Sequence, residues 1–174
     1  MDEFDFIGEY LAPLAGPEGL GLMDDAACFS PAPGFDLVMT KDTMVEGVHF
    51  PKGFYGEDVA GKLLCVNLSD LAAKGAEPLG YLLSLAWPDH LGAEDLSRAG
   101  RGFAVGLEAI QERFGLTLWG GDTVKTSGPF VVTATLIGQI RRGRLTGRSG
   151  AQYGHDVWVT GHIGEAYLSL QNYL

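Results

Sequence analysis

The chain is short of cysteine, of basic charge and of long apolar runs, and each shortage removes a class of protein. Only two cysteines occur, Cys28 and Cys65, with no Cys-x-x-Cys pair and no zinc spacing. A disulfide scaffold and a zinc module are excluded; a reducing cytoplasm fits, and each cysteine is expected to be a buried small hydrophobe. Lysine and arginine number 12 against 22 aspartates and glutamates, a formal charge of -10. Phosphate backbones seek basic surface, so nucleic acid is not an expected partner. No apolar stretch approaches about 18 residues, so no membrane span is expected. The N-terminus is acidic, without a basic stretch before an apolar run, and does not read as a signal peptide. No Gly-x-Ser-x-Gly elbow is present to present a serine nucleophile. Residues 56–62 come close to a Walker loop, but Leu63 stands where a hydroxyl would reach magnesium, and Glu57 and Asp58 would repel phosphates.

What is there is a globular composition: 174 residues, 46% hydrophobic and 20% charged, with 26 glycines. That suffices for one good core and the start of a second domain. Phe4, Ile7, Tyr10, Leu11 and Leu14 recur at helical spacing. Residues 58–74 form the strongest expected helix, with Val59, Leu63, Val66 and Leu71 in one stripe and Gly75 as its stop. A second long helix covers 94–114, stopped by Gly115. Strands are expected at 26–30, 35–40, 79–87, 117–119, 130–140 and 156–160, with a hairpin-like stretch late in the chain and a helical tail from Glu165. The fold class is α/β or α+β, a mixed sheet covered by helices on one face. The Arg141-Arg142-Gly143-Arg144-Leu145-Thr146-Gly147-Arg148 run reads as a boundary between a domain at 1–143 and the start of another at 144–174. The last helix runs to Leu174 without a cap, which suggests truncation.

Four acidic signatures carry the chemistry: Met23-Asp24-Asp25-Ala26, Thr40-Lys41-Asp42-Thr43, Asn67-Leu68-Ser69-Asp70 and Gly120-Gly121-Asp122-Thr123. Each sets an aspartate beside a turn residue, hydroxyl or amide near the edge of an apolar segment. Hard divalent cations want such oxygens, and phosphates arrive with such cations. Asp24 and Asp25 repel each other unless a cation or donors lie nearby; an Asx turn is the plain alternative. Asp42 is expected just beyond a strand's C-terminal end, where α/β sheets place ligands, with Thr40 and Thr43 adding hydroxyls. Asp70 lies three residues from Asn67 and four from Lys74, so its alternative is an exposed ion pair worth about 0.3–0.5 kcal/mol. Gly120 and Gly121 would let backbone N–H groups approach an anion in a turn that Asp122 completes. Arg148 belongs to a local cationic stretch that reads equally as a phosphate contact or as a solvated linker. His49 follows the Asp42 loop, where a histidine either contacts a substrate phosphate or ring or is simply exposed.

In combination and order, Asp24-Asp25-Ala26, the stretch from Asp42 to Phe50, Asn67-Leu68-Ser69-Asp70-Leu71-Ala72-Ala73, Gly120-Gly121-Asp122-Thr123 and Arg148-Ser149-Gly150-Ala151 resemble the thiamine-monophosphate kinase family. That family lies within the aminoimidazole ribonucleotide synthetase superfamily. The resemblance implies ATP-dependent phosphorylation of thiamine monophosphate to thiamine diphosphate, with Mg2+ between aspartates and the triphosphate. It implies metal ligands at Asp25, Asp42, Asp70 and Asp122, with Asp24 and Thr40 as weaker ones. ATP contacts fall at Gly121, Asp122 and Arg148, and a substrate contact at His49. No catalytic protein nucleophile is expected. The resemblance further implies a homodimer through the N-terminal sheets, forming a barrel. Another ATP-dependent synthetase of the superfamily, or a non-catalytic nucleotide-binding and dimerisation module, stays open. The chain departs from the family pattern at Met23 (usually Gly), Lys41 (usually Thr or Ser) and Gly164-Glu165 (usually Gly-Asp).

Overall fold

Gly75 and Gly115 adopt left-handed backbone angles (φ 74° and 67°) and end the two long helices where such residues are best tolerated. The structure, a computed structural model, describes residues 2–173. Helix α2 spans Glu57–Lys74 and α3 spans Ala93–Phe114. Each opens on acidic residues, Glu57 and Asp58 or Glu94 and Asp95, and closes on a base, Lys74 or Arg113, matching the helix dipole. A short N-terminal helix, α1 (Glu3–Phe6), continues into a π turn at Ile7–Leu11 and a 3-10 turn at Ala12–Leu14. The expected single helix is therefore broken up, with Pro13 removing a backbone donor where it tightens. A last helix, α4, spans Glu165–Tyr173.

Four strands form one sheet: β1 (Phe35–Val45), β2 (Glu77–Pro88), β3 (Thr117–Thr126) and β4 (Val131–Arg141), in the order β1-β4-β2-β3. β4 runs antiparallel to both neighbours, and β2 pairs with β3 in parallel. The expected late hairpin does not form, although β3 and β4 are consecutive. Helix α3 carries the chain from β2 back to the start of a parallel β3, and β4 then enters on β2's other side. There its inward residues Val132, Ala134 and Leu136 are wholly buried, as suits a strand with neighbours on both sides.

Two expected strands are absent. Residues 26–30 lie off the sheet, anchored by the Phe29 ring stacked on Trp119 at 4.9 Å and by the Cys28 N–H donating to the Glu18 carbonyl. Residues 156–160 are exposed coil, with Val157 and Trp158 standing in solvent. Two strands run well past their expected ends, β1 to Val45 and β3 to Thr126. Asp42 and the Gly120-Gly121-Asp122 run therefore lie inside strands, not in turns.

The core lies between the sheet and helices α2 and α3, where Trp87 and Phe130 stack at 4.1 Å with Phe103, Phe6 and Tyr55 edge-on around them. Among the described residues the opposite face of the sheet carries no helix. Both cysteines are free and exposed, contrary to expectation: Cys28 sits in the segment that pairs with no strand, and Cys65 falls off the inward stripe of α2. Among the described residues no helix is long and apolar enough to cross a membrane.

Candidate functional site

The period-2 alternation of β1 decides where its polar residues go. Thr40, Asp42 and Met44 pair with Leu136, Ala134 and Val132, all wholly buried, so all three point to the helix-covered side of the sheet. Lys41 and Thr43 point to the bare side, where Thr43 and Thr133 share a hydroxyl hydrogen bond of 2.9 Å. Asp70 reaches this edge from α2 and accepts a hydrogen bond from the Thr40 hydroxyl at 3.1 Å. No Asp70–Lys74 ion pair forms among the described residues. Asn67, expected on the face of Asp70, is instead wholly buried; its amide donates to the Leu63 carbonyl at 2.9 Å. Thr40, Asp70, Lys74 and Arg148 line one cleft of about 380 Å³, with half-buried Asp42 two residues along the same strand face from Thr40. The sequence-derived Thr40, Asp42, Asp70 and Arg148 are thus grouped at the β1 edge.

A second group forms at the other edge. Asp122 pairs with Ser84, itself paired with Thr133, and so points to the bare side. Asp24, Asp25, Gly121, Asp122 and Trp119 line a cleft of about 470 Å³. Gly121 is required by packing, not by a turn: any Cβ there would collide with the main-chain carbonyl of Leu83 on β2. Leading into Asp24, residues Leu20, Gly21 and Leu22 all take left-handed angles (φ 51°, 70° and 56°). Two leucines in that region store backbone strain beside the acidic pair, a feature that no sequence pattern announced.

The two groups share a rung of the sheet. Asp42 pairs with Ala134, Ala134 with Leu83, and Leu83 with Gly121. Three strand spacings separate the edges, about 14 Å. Within one chain the aspartates therefore form two half-sets rather than one cradle. Their oxygens are the hard donors that suit magnesium. Neither half-set is a complete cage: no group of three or more His, Cys, Asp or Glu is placed to hold a metal among the described residues.

His49 lies in the loop after β1, where its Nδ1 accepts the Val45 N–H at 3.0 Å and its carbonyl accepts from the Lys62 ammonium. Glu46, at the root of the same loop, accepts three hydrogen bonds. Sequence reasoning gave it no role. Its only signal was the adjoining Gly47, which takes φ 76° in the turn.

Comparison with known proteins gives this geometry a context. A family model described as AIR synthase related protein, N-terminal domain, matches residues 23–140. The chain is similar to a thiamine-monophosphate kinase of Caulobacter vibrioides, 49% identical over 170 residues that make up 97% of this chain and 47% of that protein. Among solved structures it is similar to the thiamine-monophosphate kinase from Stenotrophomonas maltophilia, with TM-score 0.76, 40% identity, 87% of this chain covered and 46% of that one. It is also similar to AaThiL complexed with AMPPCP and TMP, with TM-score 0.69, 32% identity, 86% of this chain covered and 47% of that one. The chain spans about half the length of the curated relatives it matches.

Proposed function

The chain belongs to the AIR synthase related family through its N-terminal domain, and on that premise we propose that it is the nucleotide-binding part of a kinase that uses ATP to convert thiamine monophosphate to thiamine diphosphate. The observation that carries the reading is the Thr40–Asp70 contact beside Asp42 at one sheet edge, with Asp122, Asp24 and Asp25 around the cleft at the other. The likeness to thiamine-monophosphate kinases, one of them solved with AMPPCP and TMP, supports the choice of substrates. Residues 1–143 make up the ATP-binding domain, and 144–174 open a second one that contributes to the acceptor pocket. Two free cysteines suit a reducing cytoplasm.

A carboxylate and a phosphate at close range repel by about 4 kcal/mol at an effective dielectric near 20. Asp25, Asp42, Asp70 and Asp122, with Asp24 and Thr40, would hold magnesium, which when bound neutralises the triphosphate charge. Arg148 supplies a planar fork of donors for a phosphate at the β1 cleft. Gly121 lets the backbone of β3 approach a ligand closely. His49 contacts the acceptor. The acceptor is already a phosphate anion, so neither a protein nucleophile nor a strong general base is needed, and alignment for in-line transfer is the chain's main task.

The half-sets meet in a homodimer. The bare sheet face packs on that of a second copy, closing the two sheets into a barrel and setting the β1 edge of each chain against the β3 edge of the other. Asp42 and Asp70 then stand at the edge that meets the β3 edge carrying Asp122 of the partner subunit. Mixed dimers of the full-length protein test this. Asp70→Asn and Asp122→Asn should each be inactive alone. When co-refolded they should recover about a quarter of wild-type turnover, since half the dimers carry one intact site. No recovery would mean that each site is built within one chain. Absence of thiamine monophosphate turnover by the wild-type full-length protein would overturn the kinase reading itself.

A further inference from the structure

The loop from Glu46 to Tyr55 is exposed at its tip, where Val48 is 74% exposed, yet it is tied down at its root. Backbone bonds close it: the Gly47 N–H donates to the Phe50 carbonyl at 2.7 Å, His49 N–H to the Val45 carbonyl at 2.9 Å, and Glu46 N–H to the Phe130 carbonyl at 2.9 Å. The half-buried Glu46 carboxylate adds a three-way clamp. One oxygen accepts from the Gly53 N–H at 2.8 Å and the Tyr55 hydroxyl at 3.0 Å; the other accepts from the Phe130 N–H at 2.9 Å. One side chain thus joins both ends of the loop to the start of β4. The Tyr55 ring passes the anchorage inward, edge-on to Trp87 and Phe130. Burial works to raise the Glu46 pKa. The donors from Phe130, Gly53 and Tyr55, with the charge of His90, outweigh it and hold the carboxyl below its usual value.

What the clamp presents is His49. Its Nδ1 accepts from the Val45 N–H, so the neutral ring carries its proton on Nε2, which has no hydrogen-bond partner among the described residues. The Lys62 ammonium holds the His49 carbonyl from α2. Lys62 and Asp70 lie eight residues apart on that helix, which sets the His49 loop about 12 Å along it from the Asp70 carboxylate. That is too far for contact with a phosphoryl group held at Asp70, and fits the distal end of an elongated acceptor.

We propose that Glu46 is a positioning residue for the acceptor: its carboxylate fixes the loop so that His49 offers its Nε2–H to a hydrogen-bond acceptor atom on the substrate's heterocyclic end. This rests on the acceptor role given to His49 above. Glu46→Gln keeps the shape but turns one accepting oxygen into an NH2 that faces a donor. In the full-length enzyme it is expected to raise KM for thiamine monophosphate about tenfold, with kcat and the KM for ATP within about twofold. His49→Ala should give the same pattern, and the double variant should be no worse than either single one, the mark of residues that act as a unit. Full additivity, or a fall in kcat and melting temperature with KM unchanged, would overturn the proposal and leave Glu46 a purely structural clamp. A second readout needs no turnover. The 15N signals of the His49 ring should report a single Nε2–H tautomer in the wild-type chain and an averaged ring in Glu46→Gln. Identical ring signals in the two would overturn the proposal even if the protein proved to act on another substrate. A changed ring without thiamine monophosphate turnover in the wild type would keep the clamp and discard the substrate.

Discussion

On the helix side of the sheet, Tyr81, Leu83, Leu85, Val132, Ala134 and Leu136 are at most 2% exposed; on the other side Met39 is 69% exposed, and Leu82, Leu37 and Val124 lie between 40% and 48%. The same four strands build both. The covered side is almost wholly apolar and interlocks with α2 and α3. The bare side mixes those apolar residues with Thr43, Thr133 and Ser84, a composition that tolerates water yet can be packed against another protein surface. The acidic residues follow the same division. Asp42 sits at the rim of the covered side and Asp122 on the bare one. A single chain therefore carries its two acidic groups on opposite faces and edges, and under the proposed dimer the bare face would matter to function as much as the clefts.

The sharpest way to break that reading is at the rim. In the full-length protein, Asp42→Asn or Asp70→Asn is expected to cut turnover about 1000-fold, roughly 4 kcal/mol of transition-state stabilisation, with an unchanged circular dichroism spectrum. Near-normal rates in either variant would remove the carboxylates from the mechanism. Next comes the contrast between the faces themselves. Trp87→Ala, on the covered side, should destabilise the chain by about 3–5 kcal/mol in urea titration. Met39→Glu, on the bare side, should shift stability by no more than about 0.5 kcal/mol in a monomer, while converting the proposed dimer to monomer in light scattering. A dimer that survives Met39→Glu would move the interface elsewhere. The smallest effect is expected at Lys41, which stands on the bare side of β1 one residue from Asp42. Lys41→Thr removes a cation near the proposed junction, and should steepen the dependence of turnover on magnesium at low concentration. An unchanged magnesium titration would mean that Lys41 points away from the site.

Much of this was readable in advance. The limits of α2 and α3 were legible because a left-handed glycine is a local signal and the inward stripe of Val59, Leu63 and Leu71 repeats with the helix. The helix-covered mixed sheet followed from the order of apolar segments. The reach of β1 and β3 was not legible, because Lys41-Asp42-Thr43 and Gly120-Gly121-Asp122 look like turns until a neighbouring strand pairs with them. Residues 26–30 and 156–160 failed in the opposite direction: short apolar runs that find no edge among the described residues. Glu46 was passed over because its three donors come from Gly53, Tyr55 and Phe130, two of them loop neighbours and one far along the chain.

Local chemistry settled the kinds of residue available for binding phosphate and metal, and the helices that would carry some of them, since turn preference and periodicity act over a few positions. Folding settled the rest: that β4 inserts between β1 and β2, that Asp42 and Asp122 look to opposite sides, and that Asp70 meets Thr40 across thirty positions of chain. Those outcomes depend on strand register and on the burial of β4, which are set by contacts between distant segments and leave no trace in any short stretch of sequence.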